Sequence, residues 1–480
     1  MTTAPVPLTA LSLPVESFAP GDDLVELLPR FSPSGVWLRE GRGMIGLGSA
    51  ARTSSRGADR FAQLAHWYDA VRSASPVHTR SAGLETTPGA GLTAFITVSY
   101  AADSAADSEL IIPEIVLGRS DRAQWVTLIQ HAGTATQPPG PADLLEALGR
   151  YGLEAEAPVP AAEAGGSPAG GADGIAPLRL CPAAGGEEPA GPPAQDLPRT
   201  WLRAGTHPEE HYLRAVETGT TAIHERRVEK IVLARDALVT AETPLAAGAV
   251  LRELARKYQN CWTYFAGSVL GATPEMLVQV RGDQLRARVL AGTIDGDTPF
   301  DQARTALLDD AKQRSEHQIA VESLLSHLGP VTASLSAQDR PEVLVLPNVY
   351  HLATDVTGQL SSAEGVEADA GAERLSPLLV AERAHPTAAI CGTPTATAQH
   401  MIAALEELDR GPFSGPVGWI DGAGNADFGI ALRGGVLEEG SAAIRLYAGC
   451  GVVAGSEPEA ELAETWAKMR PMLSALGLDH

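Results

Sequence analysis

Acidic side chains at helical spacing are the first candidates for chemistry in this 480-residue chain. Near the C-terminus, Glu461, Glu464 and Lys468 recur at intervals of three and four residues, which places them on one face of a predicted helix. Glu316, with His317 beside it, lies in a second predicted helix. Because Mg²⁺ prefers oxygen ligands, these helices could hold one ion between them. Taken alone, the pattern is more typical of a solvated helix face.

Two further side chains could move protons. Lys230 opens a predicted buried strand, and a lysine that is withdrawn from water gives up its proton more readily and can act as a general base. Its more ordinary behaviour would be to extend from the strand into water. Glu275 follows Gly-Ala-Thr-Pro at a predicted turn, where an isolated carboxylate would be an ordinary turn residue.

A glycine-rich stretch, residues 449–456, lies between a predicted strand and the last predicted helix. Too few residues follow it for the second half of a dinucleotide-binding unit, which argues against a nucleotide site. Backbone N–H groups in a turn beside a helix N-terminus could instead hold a carboxylate. A purely structural turn is an equally good interpretation.

The elements that must position these residues are predicted from local patterns. Short apolar runs separated by Gly, Pro and Ser predict strands within residues 1–150, one of them at 110–117. Helical spacing predicts a helix over 60–72 and one long helix over 300–328. A hairpin is predicted within 263–290.

Composition and charge exclude several classes of protein. A net charge of −23 argues against a nucleic-acid partner, since phosphate binding needs a basic surface. The four cysteines form no C-x-x-C pair, so neither a zinc site nor a thioredoxin motif is indicated. The sequence contains no basic-then-apolar leader and no apolar run near 18 residues in length. We therefore expect a cytoplasmic protein that does not enter a membrane.

Ordered motifs over residues 207–480 resemble the chorismate-utilising enzymes, the family of isochorismate, salicylate, anthranilate and aminodeoxychorismate synthases. Residues 35–48 and 111–113 are similar to the N-terminal part of the menaquinone-type isochorismate synthases. The motifs are Lys230-Ile-Val-Leu-Ala-Arg, Gly271-Ala-Thr-Pro-Glu275, Leu290-Ala-Gly-Thr293, Glu316-His317, His351-Leu-Ala-Thr354, His385-Pro-Thr387, Cys391-Gly-Thr-Pro394, Arg410-Gly-Pro-Phe-Ser-Gly-Pro-Val-Gly-Trp419, Leu432-Arg433, Tyr447-Ala-Gly-Cys-Gly-Val-Val453 and Glu461-x-x-Glu464-Thr-x-x-Lys468.

The resemblance implies an α+β fold. It would be one large chorismate-binding domain in which extensive antiparallel sheets pack face to face, with helices around the outside. Residues 1–150 would form the variable N-terminal part and residues 207–480 the catalytic part. The Ala/Gly/Pro-rich stretch 154–200 would be a flexible insertion, since it can bury little apolar area. The implied partner is the small molecule chorismate, and the implied assembly is a monomer or weak homo-oligomer.

The implied activity is Mg²⁺-dependent conversion of chorismate to isochorismate for menaquinone or siderophore biosynthesis. Water would add at ring carbon 2 and the 4-hydroxyl would leave. Lys230 would activate the water, Glu275 would protonate the departing hydroxyl, and His351 would lie against the ring. The implied metal ligands are Glu316 and Glu464, with Glu461 in support. The implied substrate contacts are Ala291, Gly292, Thr293, Thr354, Phe413, Arg433, Gly449, Gly451 and Lys468.

A few positions discriminate between members of the family. Anthranilate-type enzymes resemble this pattern but carry Gln at the position of Lys230, and aminodeoxychorismate synthases typically carry Lys at that of Ala291. Salicylate synthases share Lys230 and Glu275 and add pyruvate elimination, so they are the main alternative. A catalytically inactive chorismate-binding relative is the other. It is motivated by Gln313, where relatives often have an acid that supports the metal, and by Asp295, where a basic residue is commoner.

Overall fold

Two large β-sheets carry the fold, and each takes strands from both halves of the chain. The computed structural model describes residues 4–18, 23–75, 78–81, 83–132, 139–156, 177–182, 197–346, 349–361 and 375–478. Within those ranges there are 25 strands and ten α-helices, numbered here in chain order.

The strands are β1 (Leu8–Phe18), β2 (Pro33–Arg39), β3 (Arg42–Leu47), β4 (Ala51–Ser55), β5 (His78–Arg80), β6 (Thr93–Thr97), β7 (Ser108–Ile112), β8 (Ile115–Arg119), β9 (Gln124–His131), β10 (Leu153–Glu156), β11 (Leu178–Pro182), β12 (Thr200–Ala204), β13 (Lys230–Ala241), β14 (Trp262–Ala266), β15 (Val269–Thr273), β16 (Met276–Arg281), β17 (Gln284–Asp295), β18 (Thr332–Ala337), β19 (Glu342–Val345), β20 (Val349–Leu360), β21 (Gly392–Thr393), β22 (Pro416–Asp421), β23 (Ala426–Ile430), β24 (Gly434–Val436) and β25 (Ala443–Val452). The helices are α1 (Leu24–Leu27), α2 (Arg60–Ala74), α3 (Pro141–Arg150), α4 (Glu209–His224), α5 (Ala247–Lys257), α6 (Phe300–Asp309), α7 (Ala311–Leu328), α8 (Pro377–Ala384), α9 (Thr395–Glu406) and α10 (Pro458–Ala475). Short 3₁₀ helices span Leu28–Arg30 and Gly329–Val331.

The strand order interleaves the two halves of the chain. The larger sheet runs β10-β11-β1-β9-β8-β3-β2-β14-β15-β24-β25-β13-β12, with β5 beside β1 and β21 beside β13. The smaller sheet runs β18-β20-β17-β16-β23-β22-β6-β7-β4, with β19 beside β20. Among the described pairs, only those of β1 with β5 and with β11 are parallel. The predicted α+β class with extensive antiparallel sheets is confirmed.

The two sheets pack face to face through a shared apolar core. Phe95 of the smaller sheet lies directly on β2 of the larger one, since a Cβ at Gly35 would come within 2.1 Å of its ring. Trp37 and Met44 of the larger sheet belong to the same buried cluster as Phe428 of the smaller sheet. A second cluster lies beneath α1, α3, α5 and α10, which cover the larger sheet. The helices therefore lie on the outside, as predicted.

Two predicted elements are each divided in the structure. The strand predicted over 110–117 is β7 of the smaller sheet and β8 of the larger one. Pro113, which has no N–H to donate to a sheet, lies where the chain crosses between them. The helix predicted over 300–328 is α6 and α7. Asp310 separates them with extended backbone and accepts a hydrogen bond from Gln313 N at 2.9 Å, as an N-cap does.

The predicted insertion over 154–200 is only partly described. Residues 178–182 form β11, which pairs with β10 and β1 in the larger sheet, so the prediction of a flexible insertion is wrong for these residues. Residues 157–176 and 183–196 lie outside the described ranges. Among the helices of the described ranges, none combines the length and apolarity that a membrane crossing requires. The cytoplasmic location and the oligomeric state stay predictions.

Gly118 of β8 tests the packing of the larger sheet. A Cβ there would lie 2.1 Å from the ring of Trp125, which is 2% exposed, so Gly118→Ala forces a buried ring to move. We expect a loss of about 1–3 kcal/mol in the free energy of unfolding, measured by urea denaturation. Gly149→Ala is the control, since nothing lies within 4 Å of its added Cβ and Ala suits α3 better than Gly. An unchanged stability for Gly118→Ala would contradict this packing.

Candidate active site

One cavity between the two sheets collects most of the predicted site residues. Strands β13 and β25 of the larger sheet, β17 and β20 of the smaller sheet, and helix α10 contribute to its walls. Its volume, counted together with its open mouth, is about 980 Å³. The predicted residues that line it are Lys230, Glu275, Ala291, Gly292, His351, Phe413, Arg433, Gly449, Gly451, Glu461, Glu464 and Lys468.

The chain crosses between the sheets twice beside this cavity, and each crossing carries a predicted site residue. Glu275 lies between β15 of the larger sheet and β16 of the smaller one, and Arg433 lies between β23 and β24 on the return. Arg433 has a φ of +52°, a left-handed conformation that non-glycine residues rarely adopt. Backbone held in such a conformation is concentrated at functional sites.

Strand β13 presents alternate side chains to the cavity. Lys230, Val232 and Ala234 share this face because successive strand residues point to opposite sides. Lys230 is 1% exposed, so the alternative in which it extends into water is wrong. On the neighbouring β25, Gly451 pairs with Val232 and Gly449 with Ala234. Both glycines are therefore strand residues, and the prediction that they lie in a turn is wrong; β25 continues to Val452.

Glu275 is buried within reach of several positive charges. Burial raises the pKa of its carboxyl to about 8, although the charges of Lys230, Lys468 and Arg433 oppose the shift. The carboxyl is therefore protonated at neutral pH and can donate a proton. A buried lysine and a protonated carboxyl that line one cavity form an acid–base pair suited to opposite ends of one reacting molecule.

His351 is a neutral ring that orients Arg433. Burial, together with the charges of Arg433 and Lys468, lowers the pKa of His351 well below its ordinary value. Its Nε2 lies 3.3 Å from Arg433 Nη2, and its Nδ1 lies 3.3 Å from the carbonyl oxygen of Gly292. A guanidinium only donates and a carbonyl only accepts, so the ring carries its proton on Nδ1 and accepts from Arg433.

The strand opposite Lys230 bulges at Gly292, where the register of β17 and β20 shifts and φ is +78°. His317 of α7 supports the bulge from behind: its Nδ1 donates to Ala291 O (3.2 Å) and its Nε2 accepts from Thr354 Oγ1 (2.7 Å). Thr354 is thus engaged behind the wall and is not a lining residue. Its predicted contact with substrate stays a prediction. The side chain of Thr293 lies outside the described atoms.

Two carboxylates of α10 are placed to hold a cation. One oxygen each of Glu461 and Glu464 and the Cys450 Sγ all lie within 4.8 Å of one another. Lys468 Nζ lies 2.7 Å from Glu464 Oε1. Burial opposes ionisation of Glu464, but Lys468 and Arg433 outweigh it and keep the pKa of this carboxyl below its ordinary value. The site therefore offers anionic oxygens, which suit Mg²⁺, whereas the thiol is a soft ligand that suits other metals.

Helix α7 adds a polar group to the cavity. Gln313 lines it, and its buried Oε1 has no hydrogen-bond partner among the described residues. A buried acceptor of this kind needs a donor, which a bound water or a substrate hydroxyl would supply. Glu316 lies one turn further along α7, and its side chain is outside the described atoms, so its predicted role as a ligand stays a prediction.

A buried ion pair that the sequence did not single out holds the strand of Lys230. Arg410 Nε lies 2.9 Å from Glu406 Oε2, and the two side chains are 2% and 1% exposed. Arg410 Nη2 donates to Val232 O (2.7 Å), while Glu406 Oε1 accepts from Ala234 N (2.7 Å). Arg410 had appeared only within a motif. Its spacing of four residues from Glu406 was the available signal.

Comparisons with known proteins show which family the chain belongs to. A family model described as chorismate binding enzyme matches residues 187–477, more than half of the chain. The isochorismate synthase DhbC of Bacillus subtilis is 37% identical over 285 residues, which are 56% of this chain and 69% of that protein. The isochorismate synthase MenF of the same organism is 34% identical over 276 residues, 56% of each chain. The predicted resemblance is confirmed.

A solved structure shares the fold over nearly the whole chain. The menaquinone-specific isochorismate synthase MenF of Escherichia coli matches with a TM-score of 0.69, covering 99% of this chain and 96% of that one. Sequence identity is 21%, so this likeness speaks for the fold. It includes the N-terminal part, which the family model leaves unmatched.

The Glu406–Arg410 pair generates a prediction about stability. Glu406→Gln leaves a buried guanidinium without its counter-charge, so we expect the free energy of unfolding to fall by about 3–5 kcal/mol. The matched control is Glu146→Gln, which removes an exposed partner of Arg150 at the same spacing of four residues and should change stability by less than about 1 kcal/mol. Chemical denaturation of the three proteins measures the difference, and equal losses in both variants would contradict the structural role of the pair.

Proposed function

The chain belongs to the family of chorismate-binding enzymes, and from that premise we propose that it is an isochorismate synthase, an isomerase of the hydroxymutase type. Water adds at ring carbon 2 of chorismate and the hydroxyl at carbon 4 leaves. The observation that carries the proposal is the pairing of a buried Lys230 with a protonated Glu275 in one cavity.

The proposed proton transfers balance. Lys230, as the general base, takes a proton from the attacking water while the new carbon–oxygen bond forms at carbon 2. The ring double bonds shift, and Glu275 gives its proton to the hydroxyl that leaves carbon 4 as water. One water enters and one departs, so substrate and product are isomers. A carboxyl that is protonated at neutral pH supports Glu275 as the acid, and a lysine in place of glutamine supports a water nucleophile.

Positive charge in the cavity would bind the substrate's carboxylates. The chain as a whole carries a net charge of −23, so an anionic substrate needs local cations. Arg433, which His351 orients, can contact a carboxylate with two parallel N–H groups. Lys468 lies beside β25, with its Nζ 2.8 Å from Gly449 O. Without side chains, Gly449 and Gly451 leave room for substrate along β25.

We further propose that Mg²⁺ is the cofactor. Glu461 and Glu464 would hold it, and Glu316 would contribute from α7. The ion would supply positive charge opposite the ring carboxylate of the substrate. The approach of Glu461 and Glu464 oxygens to within 4.8 Å of each other supports this assignment. The proposed pathway is the biosynthesis of menaquinone or a siderophore, since the relatives that are 34% identical include MenF of Bacillus subtilis and the vibriobactin-specific isochorismate synthase of Vibrio cholerae.

Product analysis tests the proposed reaction. Purified protein incubated with chorismate and Mg²⁺ should yield isochorismate, resolved by liquid chromatography with mass detection, and chelation of the metal should stop the reaction until Mg²⁺ is restored. Lys230→Ala should lower kcat by about 10²–10⁴-fold, whereas Lys257→Ala, an exposed lysine of α5, should not. Salicylate and pyruvate as main products would refute the assignment. So would chorismate that binds and is never converted, the behaviour of an inactive relative.

The pH dependence tests Glu275 as the acid. Its pKa is raised to about 8, so the proton that it must donate is present at lower pH and is lost as the pH rises through about 8. We expect kcat/KM to fall along an alkaline limb centred within about one unit of that value. Glu275→Gln, which has no proton to give, should lose about 10²–10⁴-fold in kcat at neutral pH. An alkaline limb that persists unchanged in the residual activity of Glu275→Gln would assign the limb to another group.

A further inference from the structure

A second group of potential metal ligands lies outside the cavity. His207 precedes α4, His211 lies in its first turn, and Glu407 follows α9 directly. One ligand atom of each lies within 4.8 Å of the other two. The two imidazole rings stack with centroids 4.3 Å apart and planes inclined by 19°, so one ring must turn before a nitrogen of each points at the same ion. We propose that these three residues bind one divalent transition-metal ion, such as Zn²⁺, at a site separate from the catalytic cavity.

The hydrogen bonds of both histidines engage Nε2 and leave Nδ1 as the nitrogen that can bind a metal. His207 Nε2 lies 3.0 Å from Glu407 O, and His211 Nε2 lies 3.0 Å from Leu405 O and 3.2 Å from Glu406 O. A carbonyl oxygen only accepts, so both rings carry a proton on Nε2 and, when neutral, a lone pair on Nδ1. Metal-bound histidines characteristically donate their second N–H to a carbonyl or carboxylate, which fixes both tautomer and ring orientation.

The ligand set selects the class of metal. Two imidazole nitrogens and one carboxylate suit Zn²⁺, Co²⁺, Ni²⁺ or Cu²⁺, whereas Mg²⁺ prefers oxygen ligands throughout. Ligands to zinc lie about 2.0–2.2 Å from the ion, so two of them at a tetrahedral angle are about 3.3–3.6 Å apart. Atoms up to 4.8 Å apart therefore need to approach by as much as about 1.5 Å. Glu407 is exposed and both histidines are partly exposed, so the side chains have room to make this adjustment.

The ion would join the start of α4 to the end of α9. Glu406, the residue before Glu407, is the buried partner of Arg410 and holds the strand of Lys230. A metal bound at His207, His211 and Glu407 would therefore brace the helix end that anchors this pair. Because a ligand that binds only the folded state stabilises it, the metal should also raise the melting temperature.

Metal titration of tag-free protein tests the site without reference to activity. After chelation, the protein is held in excess Mg²⁺ and titrated with Zn²⁺ by calorimetry and with Co²⁺ by visible absorption. We expect one equivalent of Zn²⁺ that Mg²⁺ does not displace, and a rise in melting temperature. His211→Ala should raise the Kd at least tenfold, since even the loss of an outer-shell partner costs about 10–100-fold. His224→Ala, an exposed histidine at the other end of α4, is the matched control and should bind as the wild type does.

Added Zn²⁺ could also bind in the cavity, at the group of Cys450, Glu461 and Glu464. Cys450→Ser removes its thiol, so binding that survives in Cys450→Ser and is lost in His211→Ala supports the proposed site. Glu407→Gln gives a second, milder variant, and circular dichroism checks that each protein is folded. The proposal is overturned if no Zn²⁺ binds in excess Mg²⁺, or if folded His211→Ala and Glu407→Gln proteins bind it as tightly as the wild type.

Discussion

Arg410 and Glu406 form an ion pair that is almost fully buried. Their side chains also hydrogen-bond the backbone of two separate parts of the chain. Arg410 takes the carbonyls of Val232 and Ile390, and Glu406 takes the N–H of Ala234. Buried pairs of this kind contribute little net stability once their desolvation is counted. The pair instead fixes the position of β13, so that the alternate side chains of this strand, including Lys230, face the cavity.

The sandwich of sheets then sets the chemistry of the cavity. Glu275 lies where the chain passes from the larger sheet to the smaller one, so both sheets withdraw it from water and its pKa rises. Arg433 lies at the return crossing, beside the neutral ring of His351. Because Glu275 and Arg433 both lie where the chain passes between the sheets, the geometry of the site depends on how the two sheets pack together. In the proposed reaction the same burial favours proton transfer over simple ion pairing.

Local patterns predicted the elements of the site better than their connections. Lys230 was found because a charged residue opening an apolar run is visible in the sequence, and the face shared by Glu461 and Glu464 follows from helical spacing. Gly449 and Gly451 were placed in a turn because glycine favours turns, yet pairing with β13 holds them in a strand. That pairing joins residues about 200 positions apart, and nothing local encodes it.

Breaks within a predicted element were missed for a similar reason. In the sequence, Asp310 is one more polar residue within a helical pattern, but its side chain caps α7 by accepting a hydrogen bond from Gln313 N. Pro113 reads as a tolerated break in one strand, although it marks a change of sheet. The partnership of Glu406 with Arg410 depends on both side chains being buried, which spacing alone does not predict.

The shared cavity of Lys230 and Glu275 has a consequence for the direction of the proposed reaction. In the proposed forward reaction Lys230 gains one proton and Glu275 loses one. By microscopic reversibility, the reverse reaction starts from the pair in that changed state, with base and acid exchanged. Net forward flux therefore requires a proton to return from Lys230 to Glu275 between turnovers, through water admitted when the product leaves.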